Sequence, residues 1–556
     1  MARRVQMIAP ANVSEAYEKL GLDTLQPLAK LIASDAPKRK SDLVPYLTRL
    51  MSRTEEVRRL YDSLGELGKA AIQEALADPG GKLDLNRFDA KYGHRPDLGG
   101  YKSASRLQLF LPIDRSIPED LRLILTDFVP EPREVTISSL DELPESVPEE
   151  LSSWEAQKGT KPEAIPLRQR LTAAAALREF STVLRLVESG KLSVGQTTRK
   201  PSQATVDAIG PLLVDGDFYQ TEDRSDYEDD PGWDLALRSF AWPCIVQAAG
   251  MASSAAAKLS LSPAGRKALD QPAQYGIRTA WKKWIGTKFF DEFERVETIK
   301  GKQSARPSAV TDRRCAVSNV LAECPIDRWV AIDEFFRLLK ARGKDFAVAR
   351  NPWKLYIAEH RYGYFADRGS EEWNMLQGRF IMAMLFEYAA TLGLIDVAYV
   401  APQGARRDYR RHWGTDDYEC LSRYDGLKFF RINRLGAWCL GLTEDYQPEK
   451  IVATKTWKVL ANYDVVATEH NPDFADMLFL DRVADRSSDR VWRLERDKIL
   501  AAVEDGLGID AVRDFLEQRS TEPVPANIQT FLADLLNRAT RLCDRGAAHM
   551  IECADA

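Results

Sequence analysis

The residues that would drive a molecular motor come first, because their pattern is demanding. A P-loop needs GxxxxGK[ST]: backbone N–H groups cradle phosphate while Lys and Ser/Thr reach the γ-phosphate and its Mg²⁺. The nearest run, Gly301-Lys302-Gln303-Ser304, lacks a glycine five residues before Gly301 and a Ser/Thr directly after the lysine. The histidines His94, His360, His412, His470 and His549 lie in no HExxH motif and beside no GxSxG elbow. They read as structural or surface residues. Carboxylates crowd one stretch: Asp215, Asp217, Glu222, Asp223, Asp226, Glu228, Asp229 and Asp230. Such a cluster could hold Mg²⁺ for nuclease chemistry. It has neither a ligand spacing nor a partner lysine, so it reads as a solvated loop. The expectation is a protein that is not an enzyme and needs no cofactor or metal.

The basic residues are more informative. Lys38, Arg39 and Lys40 stand where a helix is predicted to begin, and free N–H groups there already favour phosphate. Arg199 and Lys200 precede a helix predicted over Ser202–Leu213, in the place of a recognition helix. Lys282 and Lys283 sit between Trp281 and Trp284, two tryptophans expected in a core or interface. Arg406, Arg407, Arg410 and Arg411 fall between two predicted strands, where the tip of a wing would lie. These eleven residues are the candidate DNA contacts; the plain alternative for each is a solvated face.

The chain around them has 556 residues, 44% hydrophobic and 29% charged, with a formal net charge of −6. That supports three to four domains with real cores and argues against global disorder. It also excludes a protein that coats nucleic acid along its whole length, so any DNA contact must be local. The seven cysteines form no CxxC pair, which argues against a zinc ribbon or a disulfide framework. The N-terminal Met1-Ala2-Arg3-Arg4 lacks a signal-peptide core, and no apolar run is long enough to span a bilayer. A cytoplasmic setting is expected.

Patterning divides the chain into five stretches. Residues 1–130 read as a helical domain, with Leu25, Leu28, Leu31, Leu43, Leu47 and Leu50 at helical spacing and one strand over Arg106–Ile113. Residues 131–165, with Pro132, Pro144, Pro148 and Pro162, read as an acidic linker. Residues 166–272 and 273–450 read as two winged-helix-like modules. Their endings match: Leu259–Gly265 and Phe430–Gly436 are each a short alternating strand, a turn and a helix start. Residues 451–556 read as a small α+β unit, with strands over Lys458–Val466, Val491–Leu494 and Ala548–Glu552. The fold class expected is mainly α with small β, in tandem modules.

The last hundred residues carry a resemblance. Val491-Trp-Arg-Leu-Glu-Arg-Asp-Lys-Ile-Leu-Ala-Ala-Val-Glu-Asp-Gly506, the helix from Ile509 to Ser520, the Pro523-Val-Pro-Ala-Asn-Ile528 start and Lys458–Val466 are similar, in order, to the N-terminal domain of XPB helicases. The whole resembles bacterial helicase-associated proteins. Leu25–Leu50 also resembles a SAP-type helix–extended–helix motif, with Lys40, Leu43 and Leu47 at matching positions. In bacterial XPB proteins the helicase lobes follow this domain, whereas this sequence stops at Ala556. The resemblance therefore implies an accessory protein that binds duplex or forked DNA beside a separately encoded superfamily 2 helicase or nuclease, in repair or phage defence. Two alternatives stand beside it: a protein scaffold or regulator-like winged-helix protein, and a metal-dependent nuclease using the acidic stretch.

Overall fold

A computed structural model describes residues 12–100, 103–151, 157–220, 223, 235–365, 370–415, 418–448, 455–468, 474–504 and 507–539. The protein is mainly α-helical with small antiparallel sheets. Among the described residues, no helix is long and apolar enough to cross a membrane. The strand expected at Ala548–Glu552 lies outside the described residues.

Residues 13–129 form the first core. Its helices are α1 (Val13–Glu18), α2 (Leu22–Lys30), α3 (Lys40–Met51), α4 (Thr54–Asp62), α5 (Glu66–Ala77), α6 (Leu85–Tyr92), α7 (Leu107–Phe110) and α8 (Glu119–Thr126). The leucine spacing was legible, since Leu25, Leu28, Leu43 and Leu47 are all buried there. The strand expected over Arg106–Ile113 is instead α7. Leu107, Leu109 and Phe110 all face the core, and a strand would have sent neighbouring side chains to opposite faces.

The acidic stretch after Glu131 is not a free linker. Val135 and Ile137 pack against the central core. Leu140 exchanges backbone hydrogen bonds with Trp329 at 2.8 and 2.9 Å. Arg328 Nε donates to Ser139 Oγ at 2.8 Å. Strand β1 (Ser146–Pro148) then pairs with β2 (Ala164–Pro166). Prolines are tolerated in such short edge strands because only part of each ladder needs an N–H. The stretch is a strap laid along the body.

The central body holds two units with one order of elements. In the first, α9 (Ala173–Glu188) leads to a short extended piece at Ser193, then α10 (Gln203–Ile209), α11 (Arg238–Ala248), hairpin β4 (Ala252–Ala255) and β5 (Lys258–Leu261), and α12 (Pro263–Leu269). Ser193 bridges to Lys258, so the extended piece lies beside β5. After α13 (Ala273–Gly286), the second unit runs α14 (Val310–Leu321), β6 (Trp329–Ala331) and α15 (Ile332–Ala341). A helical run α16 follows (Ser370–Trp373, Asn374–Gly378, Arg379–Met382, Ala383–Ala389), with π-helical turns at its second and fourth parts. Then come β7 (Ile395–Tyr399), β8 (Leu427–Ile432) and α17 (Arg434–Leu440). With β3 (Arg168–Arg170) this sheet has the order β3-β7-β8-β6. In both units the first strand therefore lies beside the third.

The corner after each hairpin repeats bond for bond. Ser262 donates its N–H to Met251 O at 3.0 Å and its Oγ hydrogen to Gly250 O at 2.7 Å. It accepts the Gly265 N–H on Oγ at 3.1 Å. Asn433 donates N–H to Leu394 O at 3.4 Å and Nδ2–H to Gly393 O at 2.9 Å. It accepts the Gly436 N–H on Oδ1 at 3.0 Å. Gly250 and Gly393 both take positive φ, +71° and +74°, as the residue just past a helix often must.

One core joins the two units, reaching in sequence from Ala176 to Leu478. Helix α11 is buried along Arg238–Gln247, and α16 is buried through most of its length. Phe218 stacks on Phe386 at 4.8 Å. Arg295 sits 3.6 Å above the Phe240 ring and donates to Glu387 at 3.1 Å, tying α11 to α16. The helix before each hairpin thus packs inward.

The third core, over 457–536, holds the C-terminal unit. Its sheet has the order β11 (Ala484–Ser488), β12 (Val491–Leu494), β10 (Asp464–Ala467), β9 (Trp457–Val459). Its helices are α18 (Phe474–Val483), α19 (Arg496–Glu504), α20 (Ile509–Arg519) and α21 (Ala526–Ala539). The single strand expected over Lys458–Val466 is a hairpin, turned at Tyr463 with φ +73°.

Candidate nucleic-acid interface

The expected DNA contacts fall on four separate elements. Lys38, Arg39 and Lys40 are exposed at the start of α3, and Lys40 Nζ is tied back to the Glu18 carbonyl at 2.7 Å. Arg199 lies 4.3 Å from the exposed Phe289 ring, and Lys200 pairs with Glu294 at 2.9 Å. The helix behind them is α10, whose last turn continues as a 3₁₀ turn over Gly210–Leu212; the helix that leads into the hairpin is α11. Lys282 and Lys283 are exposed on α13. Three-residue spacing sends Trp281 and Trp284 together to the opposite, buried side. Trp284 stacks on Tyr388 at 4.1 Å and donates Nε1–H to Glu292 at 2.9 Å.

The run Arg406–Arg411 lies in the connection from β7 to β8, as its sequence position predicted. It is braced rather than loose. Arg406 is 3% exposed and donates to Asp333 at 2.6 Å. Arg407 donates its N–H to Glu150 at 2.8 Å and pairs with Glu149 at 3.2 Å, so two strap carboxylates hold it. Asp408 accepts both Nη groups of Arg379, at 2.6 and 2.7 Å. Burial opposes the Asp408 charge, but Arg379 and then Arg406 hold its carboxyl below the usual carboxylate range. Arg379 also grips Asp425 at 3.0 and 3.1 Å. Tyr409 is buried and donates to Tyr418 O at 2.8 Å. Arg410, half-buried, and Arg411, exposed, stand at the rim.

Beside that rim lies a hairpin the sequence reading did not single out, residues 352–365. Ile357 N–H donates to Gly363 O at 2.9 Å and Phe365 N–H to Leu355 O at 3.0 Å, and Tyr356 faces Tyr364. Leu355, Ile357 and Phe365 point into the core, and Tyr356 and Tyr364 point outward. The arginine-rich connection packs on it: Phe365 stacks on His412 at 4.7 Å, whose Nε2 is 2.7 Å from Gly363 O. Lys300, which bridges to Tyr356, and Lys354 and Arg361 are exposed. No ion pair among the described residues holds these three cations. The available signal was the interleaving of Trp353, Lys354, Tyr356, His360, Arg361, Tyr362 and Tyr364, aromatic and basic within a dozen residues.

The acidic stretch carries fold, where it is described. Asp217 accepts from the N–H groups of Leu237, Arg238 and Ser239, capping α11. Asp223 pairs with Arg168 at 2.5 Å. Glu222, Asp226, Glu228, Asp229 and Asp230 lie outside the described residues. Among those described, no cluster of three or more His, Cys, Asp or Glu could hold a metal.

No protein-family model matches the chain, and no curated protein matches it.

Proposed function

We propose that the protein is a cytoplasmic, non-catalytic DNA-binding accessory factor, acting with a separately encoded superfamily 2 helicase or nuclease in DNA repair or phage defence. The two central units have the element order and strand order of winged-helix-like modules, which supports this reading. Because α11 and α16 are packed inward, DNA contact in this reading falls to the β7–β8 connection, at the place of a wing. The observation that carries it is the exposure of Lys300, Lys354 and Arg361 on or next to the 352–365 hairpin, against which the connection bearing Arg410 and Arg411 packs through His412, in a chain of net charge −6. In this reading the C-terminal unit, taken as an XPB N-terminal-like domain, supplies docking to the partner or sensing of duplex.

The test is binding of a labelled fork and a labelled duplex between about 50 and 200 mM salt, where phosphate-driven affinity falls steeply. Unchanged mobility of both DNAs at low salt ends the proposal. A second reading, a protein scaffold, is favoured by the burial of both helices that would enter a groove. Reversing the charge of Arg410 and Arg411 discriminates the two: a scaffold keeps its DNA-independent partner binding and shows no DNA affinity to lose.

A further inference from the structure

The outward side of the 352–365 hairpin breaks the usual rule of sheets. Positions alternating with buried Leu355, Ile357 and Phe365 should be polar where they meet water. Here they carry Tyr356 and Tyr364, and the tip adds Tyr362. Tyr362 and Trp413 lie 5.0 Å apart at 48°, one from the hairpin and one from the β7–β8 connection. Tyr362 and Tyr364 are each 51% exposed, and Trp353 and Trp413 each 53%. Large rings grouped on one surface and left half in water mark a binding site.

The charges beside these rings select the occupant. Lys354 and Arg361 alternate with the aromatics along the hairpin, and Lys300 flanks Tyr356. Glu359 is the one carboxylate within residues 352–365. Flat faces interleaved with cations match a strand whose bases are unpaired: each base stacks on a ring while its phosphate meets a cation. A duplex cannot use the rings this way, since its base faces are already stacked and only edges reach the grooves. The neighbouring segment is rigid, because Asp408 and Tyr409 are held in the interior.

We infer that Tyr362, Trp413 and Tyr364, with Lys354 and Arg361, form a stacking shelf for unpaired bases of a single strand, at the edge of the surface that grips DNA. This rests on the DNA-binding reading above and adds to it the preferred form of DNA: a duplex with a single-stranded extension. An exposed protein-docking patch of the same composition is the competing occupant, and it predicts no dependence on unpaired bases.

The experiment uses the full chain with three labelled probes: a blunt duplex, the same duplex with a single-stranded extension of about 15 nucleotides, and that extension alone. Affinities are read by fluorescence anisotropy for the wild type, Tyr362→Ala with Trp413→Ala, and Tyr362→Phe with Trp413→Phe. The extended duplex is expected to bind about tenfold more tightly than the blunt one, the scale of stacking one or two bases. The double alanine variant should lose that margin while its blunt-duplex affinity stays within about twofold. The double phenylalanine variant, which keeps the flat rings, should retain most of the margin. Equal binding of blunt and extended duplex, or equal losses on both in the alanine variant, overturns the stacking shelf and leaves DNA binding standing. Absence of binding to all three probes at low salt overturns both. Matching far-ultraviolet circular dichroism and urea unfolding midpoints of the variants guard against loss of fold.

Discussion

Gly436 lies so close to Leu394 that a β-carbon on it would sit 1.8 Å from the Leu394 carbonyl oxygen. Gly265 has the same relation to Met251, at 2.2 Å. In both units the helix after the hairpin is pressed against the backbone where the hairpin began, and only a residue without a side chain fits. Gly436→Ala and Gly265→Ala are each expected to lower stability by about 1–3 kcal/mol or more, the scale of overpacking against unyielding backbone. Gly286→Ala is the control, since an added β-carbon there meets nothing within 4 Å. Urea unfolding midpoints check all three. A neutral Gly436→Ala would sink the claim that this corner is sterically closed.

Arg379 holding Asp408 leads to a second expectation. Asp408→Asn leaves a fully buried guanidinium with half its counter-charge, while Asp425 still faces it. Removing one partner of a buried pair costs about 3–5 kcal/mol, and the remaining Asp425 puts this variant toward the lower figure. The pH dependence follows from the carboxyl being held below its usual range. The folded form releases this proton more readily than the unfolded form. Its stabilising contribution is therefore present above the ordinary aspartate value of about 4 and is lost as pH falls through the lower folded value. The wild type should lose more stability than Asp408→Asn below about pH 4. Parallel acid limbs in the two proteins would refute that assignment.

The four arginines of the β7–β8 connection should separate into two kinds. Arg406→Glu puts a carboxylate at a buried position facing Asp408 and the exposed Asp333, so it should cost stability. Arg411→Glu, at an exposed position, should cost less stability than Arg406→Glu. It should instead weaken DNA binding and lower the slope of log affinity against log salt by about 1 for the lost phosphate contact. Thermal melts and salt titrations on the same preparations make the split visible. Equal salt slopes for wild type and Arg411→Glu would remove Arg411 from the interface.

Elements whose pattern is local were legible in the sequence. The α18 span matched the expected Phe474–Val483, and β12 matched Val491–Leu494. The paired corners at Gly265 and Gly436 were visible as a repeat, because each needs a short polar cap and a glycine three residues later. What could not be read was long-range. Strap carboxylates Glu149 and Glu150 lie more than 250 residues from Arg407, and nothing local marks them as its partners. The same holds for Arg406, whose ion-pair partner Asp333 lies 73 residues away. A run of arginines looks alike in sequence whether its members face solvent or counter-ions. The aromatic hairpin escaped notice because its inward and outward positions are both apolar, which hides a period of two.

The strap supplies the last expectation. Glu149 and Glu150 stand against Arg407 and Lys428, next to the rim where phosphate would approach. Burial lowers the Lys428 ammonium from its usual value, and Glu150 opposes that effect. The two carboxylates therefore brace the connection and also repel a nearby phosphate. In Glu149→Gln with Glu150→Gln, the amide oxygens can still accept from the Arg407 N–H and guanidinium, so the brace weakens without opening a hole. DNA affinity should rise about threefold to tenfold at low salt, as two like charges leave the phosphate-facing surface. The gain should fade as salt shortens the screening length toward about 8 Å near 0.15 M. Salt titrations of the variant and wild type on one duplex decide it. An affinity gain that persists undiminished at high salt would point to a rearranged connection rather than relieved repulsion, and no gain at low salt would place the strap away from the path of the DNA.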